Sequence, residues 1–542
     1  RLVAIAPISA TQDYTLYYAS AAPTLTGLDA HVVTTLGMQT LQVSATHPLL
    51  LFNLDVSLEW DARNDGTFLT DLQAAIRRSS EVLYDVSDGQ IAIGEVRVHH
   101  AKAQWLSADV VMYAQNGIRP RASMGGVTAE LRDDVGVSGV ITNAYGPGQI
   151  RMGPNWDPFG QDLAELSANW QRAFAHELAH YLLYLPDNYI GVSATGLPIS
   201  TDCQGSFMTS TYDDAYSEFL TRTGWVGQCL DTVAAKLLDR TDWETVRKFY
   251  GMLLEPATTN TGPSLLPLNV TQMRQQTPAT SAVSFAPAFF DLRKPTGELF
   301  AVSRAQGYLF KTGGTSDLTD DSVIALGATV GGGDRIKVRG AAAGDRLCVF
   351  GPYNETTQSA AMGCLPSLQA GQQSVPMTMA DNWQPVIIVN AVTSETWAIT
   401  ATLKAAVSSL NVQLYPAYGA VTDTQTVLAP WKAMTVKPGN PLLYTAQMTL
   451  DDPSFEGLVR VWVPGQEGQR EALTQFFLSP PWGPNNAGTG FNADMRAWGA
   501  NARQLGAPVA SGDGQVTIFN TDNFFAEAGT TSLQALTELP SF

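Results

Sequence analysis

The chain has 542 residues, 45% of them apolar and only 15% charged, and carries a formal net charge of −18. That length is too great for one core and implies three or four domains of about 100–200 residues each. No basic face is available to neutralise phosphates, so the acidic balance argues against nucleic acid or an anionic membrane surface as partner.

No apolar run reaches the ~18 residues of a membrane-spanning helix, so no transmembrane segment is expected. The chain opens without Met or a signal peptide and reads as a processed or excised product, from either end of which an anchor could have been lost. The Gly count of 47 and the Pro count of 30 suit strands and turns.

Residues 1–48 hold apolar, β-branched patches, "RLVAIAPIS" and "HVVTTLGMQTLQV", and read as a β-rich N-terminal segment. A mixed region, 49–262, follows. "LFNLDVSLEW" (51–60) reads as a strand. In "TFLTDLQAAIRRSSEVLYDV" (67–86), Leu69, Leu72, Ile76 and Leu83 share one helical face. Strands are expected at 90–99, 108–114, 139–145 and 149–153. From about Gln161 to Leu185, apolar residues from Leu163 through Trp170, Phe174 and Leu178 recur at three or four, as in a buried helix stripe. Further helical stretches are expected near 212–223 and 229–252. "EPATTNTGPSLLP" (255–267) reads as a linker. Beyond it, short alternating strands between turns such as "VGGGDRI" indicate two β-sandwich modules, 263–405 and 406–542. The fold class expected is α+β followed by all-β modules.

The four cysteines fall as two separated pairs, Cys203/Cys229 and Cys348/Cys364. Two disulfides and an oxidising compartment follow most simply, which points to a secreted or cell-surface protein; four reduced core cysteines are the rival.

His176 and His180 lie four apart on the expected helix, with Glu177 between them. One helical face then carries two imidazoles able to grip one metal ion, and Glu177 flanks the ion as a general base. No histidine follows position 180, and the first glutamate after the motif is Glu218. The nearest third ligand is therefore Asp187, where Pro186 stops the helix and lets the chain turn back. Asp213 and Asp214 are the reserves. Other features are weaker. His99 and His100 are strand neighbours that point to opposite faces. "VGGGDRI" lacks the Lys-Ser/Thr of a phosphate loop. "DARNDG" (61–66) is a candidate Ca2+ loop without the acid pattern of an EF-hand, more simply a turn. Asn269 and Asn354 head glycosylation sequons.

"HELAHYLLYLPDNY" resembles the H-E-x-x-H-x-x-x-G-x-x-D-E motif of the calcium-activated chloride channel regulator proteases and, more broadly, the metzincins. The resemblance spans about 50–260. It implies a metzincin-like catalytic domain and Zn2+ bound by His176, His180 and Asp187. "CQGSFMTSTY" is similar to the family's Met-turn, with Met208 as its methionine and hydrophobic floor. Tyr212, or after it Tyr189, is the oxyanion-stabilising candidate. The resemblance also implies that the last strand before the zinc helix, within "ITNAYGPGQIRMG", lines the cleft as an edge. Tyr184 stands where the family has glycine, and Asn188 where it has an acid. The function expected is a zinc metalloendopeptidase acting on protein or peptide substrates. The alternative is a surface structural or adhesion protein carrying a vestigial protease domain.

Overall fold

A computed structural model describes residues 4–20, 33–129, 131–135, 141–145, 147–158, 164–194, 198–256, 270–276, 284–312, 322–392, 396–416, 421–422, 425–426, 431–449, 456–477, 502–505 and 518–520. The chain is mostly β-sheet with few helices. Its first part runs β1 (Ile5–Ala10), β2 (Tyr14–Ser20), β3 (Val43–Leu58), α1 (Gly66–Val86), β4 (Ile91–His99), β5 (Val110–Met112), β6 (Arg121–Ala122), β7 (Leu131–Val135), β8 (Ile141–Tyr145), β9 (Ile150–Met152), α2 (Ala168–Leu183), β10 (Ile190–Val192), β11 (Pro198–Ser200), α3 (Asp242–Phe249) and β12 (Gln272–Gln275).

One sheet organises these elements. Its order is β12-β4-β3-β5-β9-β6, and the β1–β2 hairpin flanks the first half of β3. All the steps from β12 to β9 are parallel, and only β6 and the hairpin run antiparallel. Residues 49–52 of β3 and 91–93 of β4 are buried on both faces and read as continuous apolar runs, while Asn53, Asp55, Glu95 and Arg97 make one face of the remainder polar. Leu50, Phe52, Leu54, Val56 and Leu58 alternate onto the face shared with α1 and α2. Asp65 caps α1 by accepting from the Phe68 N–H. Ser79 on α1 donates to the Gln171 carbonyl of α2.

Several expectations about this part change. The edge of the sheet on this side is β6, and β9, the last strand before the motif helix, lies inside between β5 and β6. A two-residue strand following Pro120 is too short to show a period of two. The stretch 212–223 is not helical, because its backbone groups pair at long range: Phe207 N–H with the Glu218 carbonyl, and Phe219 N–H with the Val86 carbonyl. Within 229–252 only α3 is an α-helix. A 3-10 turn (Gly227–Asp231) and a π turn (Ala234–Leu238) precede it. The expected helix start near Gln161 falls partly on 159–163, outside the described residues; α2 begins after Ser167, whose side chain accepts from Trp170 N–H.

Downstream lie β-sandwich-like sheets. A three-stranded sheet (288–293, 335–338, 374–376) faces a five-stranded one (306–311, 322–328, 346–354, 359–365, 378–381). Two four-stranded sheets follow, and strands 386–402 belong to the first of these. The first sandwich shares a continuous core with the α/β part, reaching from Leu50 and Trp170 to Leu292, Leu309 and Val349. Asn116 ties the two by donating to the Ala328 carbonyl and accepting from the Ala328 N–H, each at 2.8 Å. Both disulfides form: Cys203–Cys229 and Cys348–Cys364. Among the described residues no helix is long and apolar enough to cross a membrane.

Candidate metal centre

The site grows from the end of α2. The helix carries His176, Glu177 and His180 on its last two turns and closes at Tyr184, whose backbone is left-handed at φ 63° and ψ 22°. Tyrosine therefore takes the conformation for which glycine is favoured, at a cost of about 1 kcal/mol. Burial of its ring between Phe249 and Tyr145 offsets that cost. Pro186 then turns the chain so that Asp187 faces back toward the helix.

Among the described residues, His176, His180 and Asp187 form a cluster able to hold a metal, with their ligand atoms within 4.8 Å of one another. Asp187 Oδ1 lies 3.0 Å from His176 Nε2 and 3.2 Å from His180 Nε2, and the two Nε2 atoms are 3.0 Å apart. Tetrahedral zinc with bonds of about 2.0–2.1 Å separates its ligand atoms by roughly 3.3–3.4 Å, so this triangle is close to the size required. His180 Nδ1 donates to the Leu185 carbonyl at 2.5 Å, because a carbonyl can only accept. The lone pair of Nε2 therefore points at the cluster, as a ligating imidazole requires. His176 Nδ1, Glu177 Oε2 and Asp187 Oδ2 are buried without a hydrogen-bond partner among the described residues. Burial favours a neutral Asp187, but the two imidazoles, His180 first, outweigh it and hold the carboxyl at about 2. Burial pushes the Glu177 carboxyl up, with His180 and His176 opposing. The donor set, two imidazole nitrogens and one carboxylate, suits zinc with a position left open.

Met208 is fully buried, and its carbonyl accepts the Asn188 N–H at 2.9 Å, one residue past Asp187. The Cys203–Cys229 disulfide closes the segment that carries it. The Tyr212 hydroxyl accepts from Trp156 Nε1 at 2.7 Å, which leaves its own proton to donate. Burial raises this phenol, the Trp156 hydrogen bond opposes it, and the Glu177 charge adds to the rise. Tyr189 lies beside Asp187: burial first, and then that carboxylate, raise its phenol well above the usual value. The reserve ligands are elsewhere. Asp213 caps its own turn by accepting from Ala215 N–H, and Asp214 pairs with Arg172.

The remaining candidates meet protein partners. Asp61 accepts from Arg63 and Ser284, and Asp65 from Phe68 and Arg339, so the 61–66 carboxylates are committed to protein donors. His99 pairs with Asp55, while His100 accepts from Ala62 N–H. Val330 bridges Arg335 across the glycine turn. Asn269 lies outside the described residues, and Asn354 caps a hairpin turn through Thr356 and Thr357. Sequence reasoning missed Trp156 and Asp242. Neither stands in a motif, and both reach the site region only through long-range contacts.

No protein-family model matches the chain, and no curated protein matches it. Among solved structures it is similar to a DUF3823 family protein from Parabacteroides merdae, at 11% identity over 36% of this chain and 98% of that one, with a TM-score of 0.16. Likeness at that level assigns neither fold nor activity.

Proposed function

We propose that the chain is a zinc metalloendopeptidase of metzincin type, secreted or displayed at a cell surface, whose ligands are His176, His180 and Asp187. The observation that carries this reading is the convergence of three ligand atoms beside the buried carboxylate of Glu177. His176 Nε2 and His180 Nε2 lie 3.0 Å apart with Asp187 Oδ1 within 3.2 Å of both, a cluster that a cation or a shared proton would hold together. The mostly parallel sheet, with β6 antiparallel at one edge and the β1–β2 hairpin antiparallel beside β3, packs on the helix that carries the motif and also supports it.

Zinc bound there supplies a Lewis acid and makes water acidic enough to attack a carbonyl near neutral pH. The chain's own residues do the rest. Glu177 takes the proton of the attacking water and returns it to the leaving amine. Tyr212, with Trp156 holding its oxygen, donates its proton toward the oxyanion. Met208 supplies an apolar floor. The disulfides favour an oxidising compartment.

The test is to digest a diverse peptide library with chelator-treated protein before and after one equivalent of zinc is restored. Internal cleavage that returns with zinc supports the reading. A zinc-loaded chain that cleaves nothing sinks it and favours the alternative, a surface structural protein with a vestigial protease domain.

A further inference from the structure

Behind Asp187, on the side away from the ligand cluster, lies a second and fully buried carboxylate. Asp242 opens α3 next to the cap residue Thr241 and is 1% exposed. Its Oδ1 accepts from Asn188 Nδ2 at 2.8 Å. Its Oδ2 accepts from the Ser206 hydroxyl at 2.9 Å and from the Leu220 N–H at 3.0 Å. Asn188 Nδ2 also donates to Ser206 Oγ at 2.9 Å, and the Met208 N–H donates to the same oxygen at 3.2 Å. One carboxylate therefore gathers three separate strands of chain. These are the residue after the third ligand, the turn that carries Met208, and the stretch at Leu220.

We infer that Asp242 is a positioning residue for the metal, fixing Asp187 through Asn188 and the Met208 turn through Ser206. The inference rests on the zinc reading above. Its physical basis is polarity. Asn188 follows Asp187 directly, its backbone N–H is bound to the Met208 carbonyl, and its carbonyl accepts from Thr201 Oγ1. Its side-chain amide is held only by Ser206 and Asp242 among the described residues. Three donors converge on Asp242, and a carboxylate can accept all of them while an amide cannot. In Asp242→Asn, the new NH2 group faces either the Asn188 NH2 or the Leu220 N–H and Ser206 hydroxyl, and one buried donor loses its acceptor. The segment bearing Asp187 then loses a fixed orientation relative to α2. Exchanging the two residues restores the polarity: the amide now at position 242 donates its N–H to the carboxylate now at position 188, and its oxygen accepts from the Leu220 N–H.

The experiment measures the zinc dissociation constant by competition with a chromogenic chelator. Wild type, Asp242→Asn, Asn188→Ala and the double exchange Asn188→Asp/Asp242→Asn are compared at a temperature where circular dichroism shows each folded. Groups bonded directly to metal ligands usually contribute about 10–100-fold in affinity, and Asp242, one bond further out, is expected at the lower end of that range. Asp242→Asn should weaken zinc by that factor, Asn188→Ala should weaken it in the same direction, and the double exchange should recover most of the loss. A purely structural role would lower stability without this reversal of affinity. Should Asp242→Asn not fold, Asn188→Ala reads the same bond from the other side. Single variants that fold and bind zinc within twofold of wild type overturn the inference while leaving the metal reading intact. A wild type that retains no zinc overturns the metal reading itself.

Discussion

Tyr184 lies face to face on Phe249, with ring centroids 3.7 Å apart and planes 10° from parallel. The contact joins the closing residue of the motif helix to the end of α3. It also explains how a tyrosine holds a left-handed position. Gly125 leaves the room: a Cβ there would come within 2.3 Å of the Tyr184 ring, and its N–H donates to the His180 carbonyl.

Tyr184→Gly should therefore destabilise the protein even though it relieves backbone strain. Loss of a buried aromatic costs about 3–5 kcal/mol, and relief returns about 1, so a net loss of about 2–4 kcal/mol is expected. Urea unfolding of wild type and variant reads it directly. A variant as stable as wild type would mean that the ring packing contributes nothing at this position.

Glu471 is the centre of the join between the two sandwiches. Arg346 from the first and Arg460 from the second both reach it, at 2.8 and 2.6 Å, and Glu471 and Arg460 side chains are 0% exposed. Burial raises the carboxyl, but Arg460 and then Arg346 outweigh it and hold it at about 2. A depressed carboxylate stabilises the fold above its unfolded value, and that stability is lost as pH falls toward 2. Glu471→Gln leaves two buried guanidinium groups poorly matched and should cost about 3–5 kcal/mol near neutral pH. The difference from wild type should shrink on acidification. Acid titration of the denaturation midpoint tests this, and a constant difference down to about pH 2 would contradict it.

Glu218 works in the opposite direction. Burial, and then Asp88 and Asp85, push its carboxyl up to about 8. Burial and Asp85 likewise raise Asp88 to about 6. A folded state that holds its proton more tightly than the unfolded state is favoured below the unfolded value and loses that advantage as pH rises through about 8. Wild-type melting temperature should fall between about pH 5 and pH 9, and Glu218→Gln should flatten the decline and melt higher at the alkaline end. Parallel melting curves for the two proteins would refute it.

The motif helix was legible because its apolar stripe and its two histidines obey the same period. The turn to Asp187 was legible because Pro186 leaves the helix little choice. Cysteine pairing was legible from count and spacing. What stayed hidden depends on distance along the chain. Nothing near Asp242 announces that it meets Asn188, 54 residues earlier. Trp156 and Tyr212 are likewise 56 residues apart. The stretch 212–223 has a helix-compatible pattern, but its backbone pairs with α1 and the Met208 segment instead. β6 was invisible because two residues carry no period. The sequence does not reveal how Tyr184 holds a left-handed position, because the compensating Phe249 ring lies far downstream on α3 and cannot be inferred from local residue types.

The most direct test of the central claim is to measure zinc content and peptide cleavage together in wild type and Glu177→Gln. The substitution keeps the side-chain shape and removes the proton acceptor, while His176, His180 and Asp187 are untouched. Zinc should remain near one per chain in both proteins, and turnover should fall by about 10²–10⁴-fold, the usual cost of losing a general base. Equal turnover in the two proteins would contradict the account.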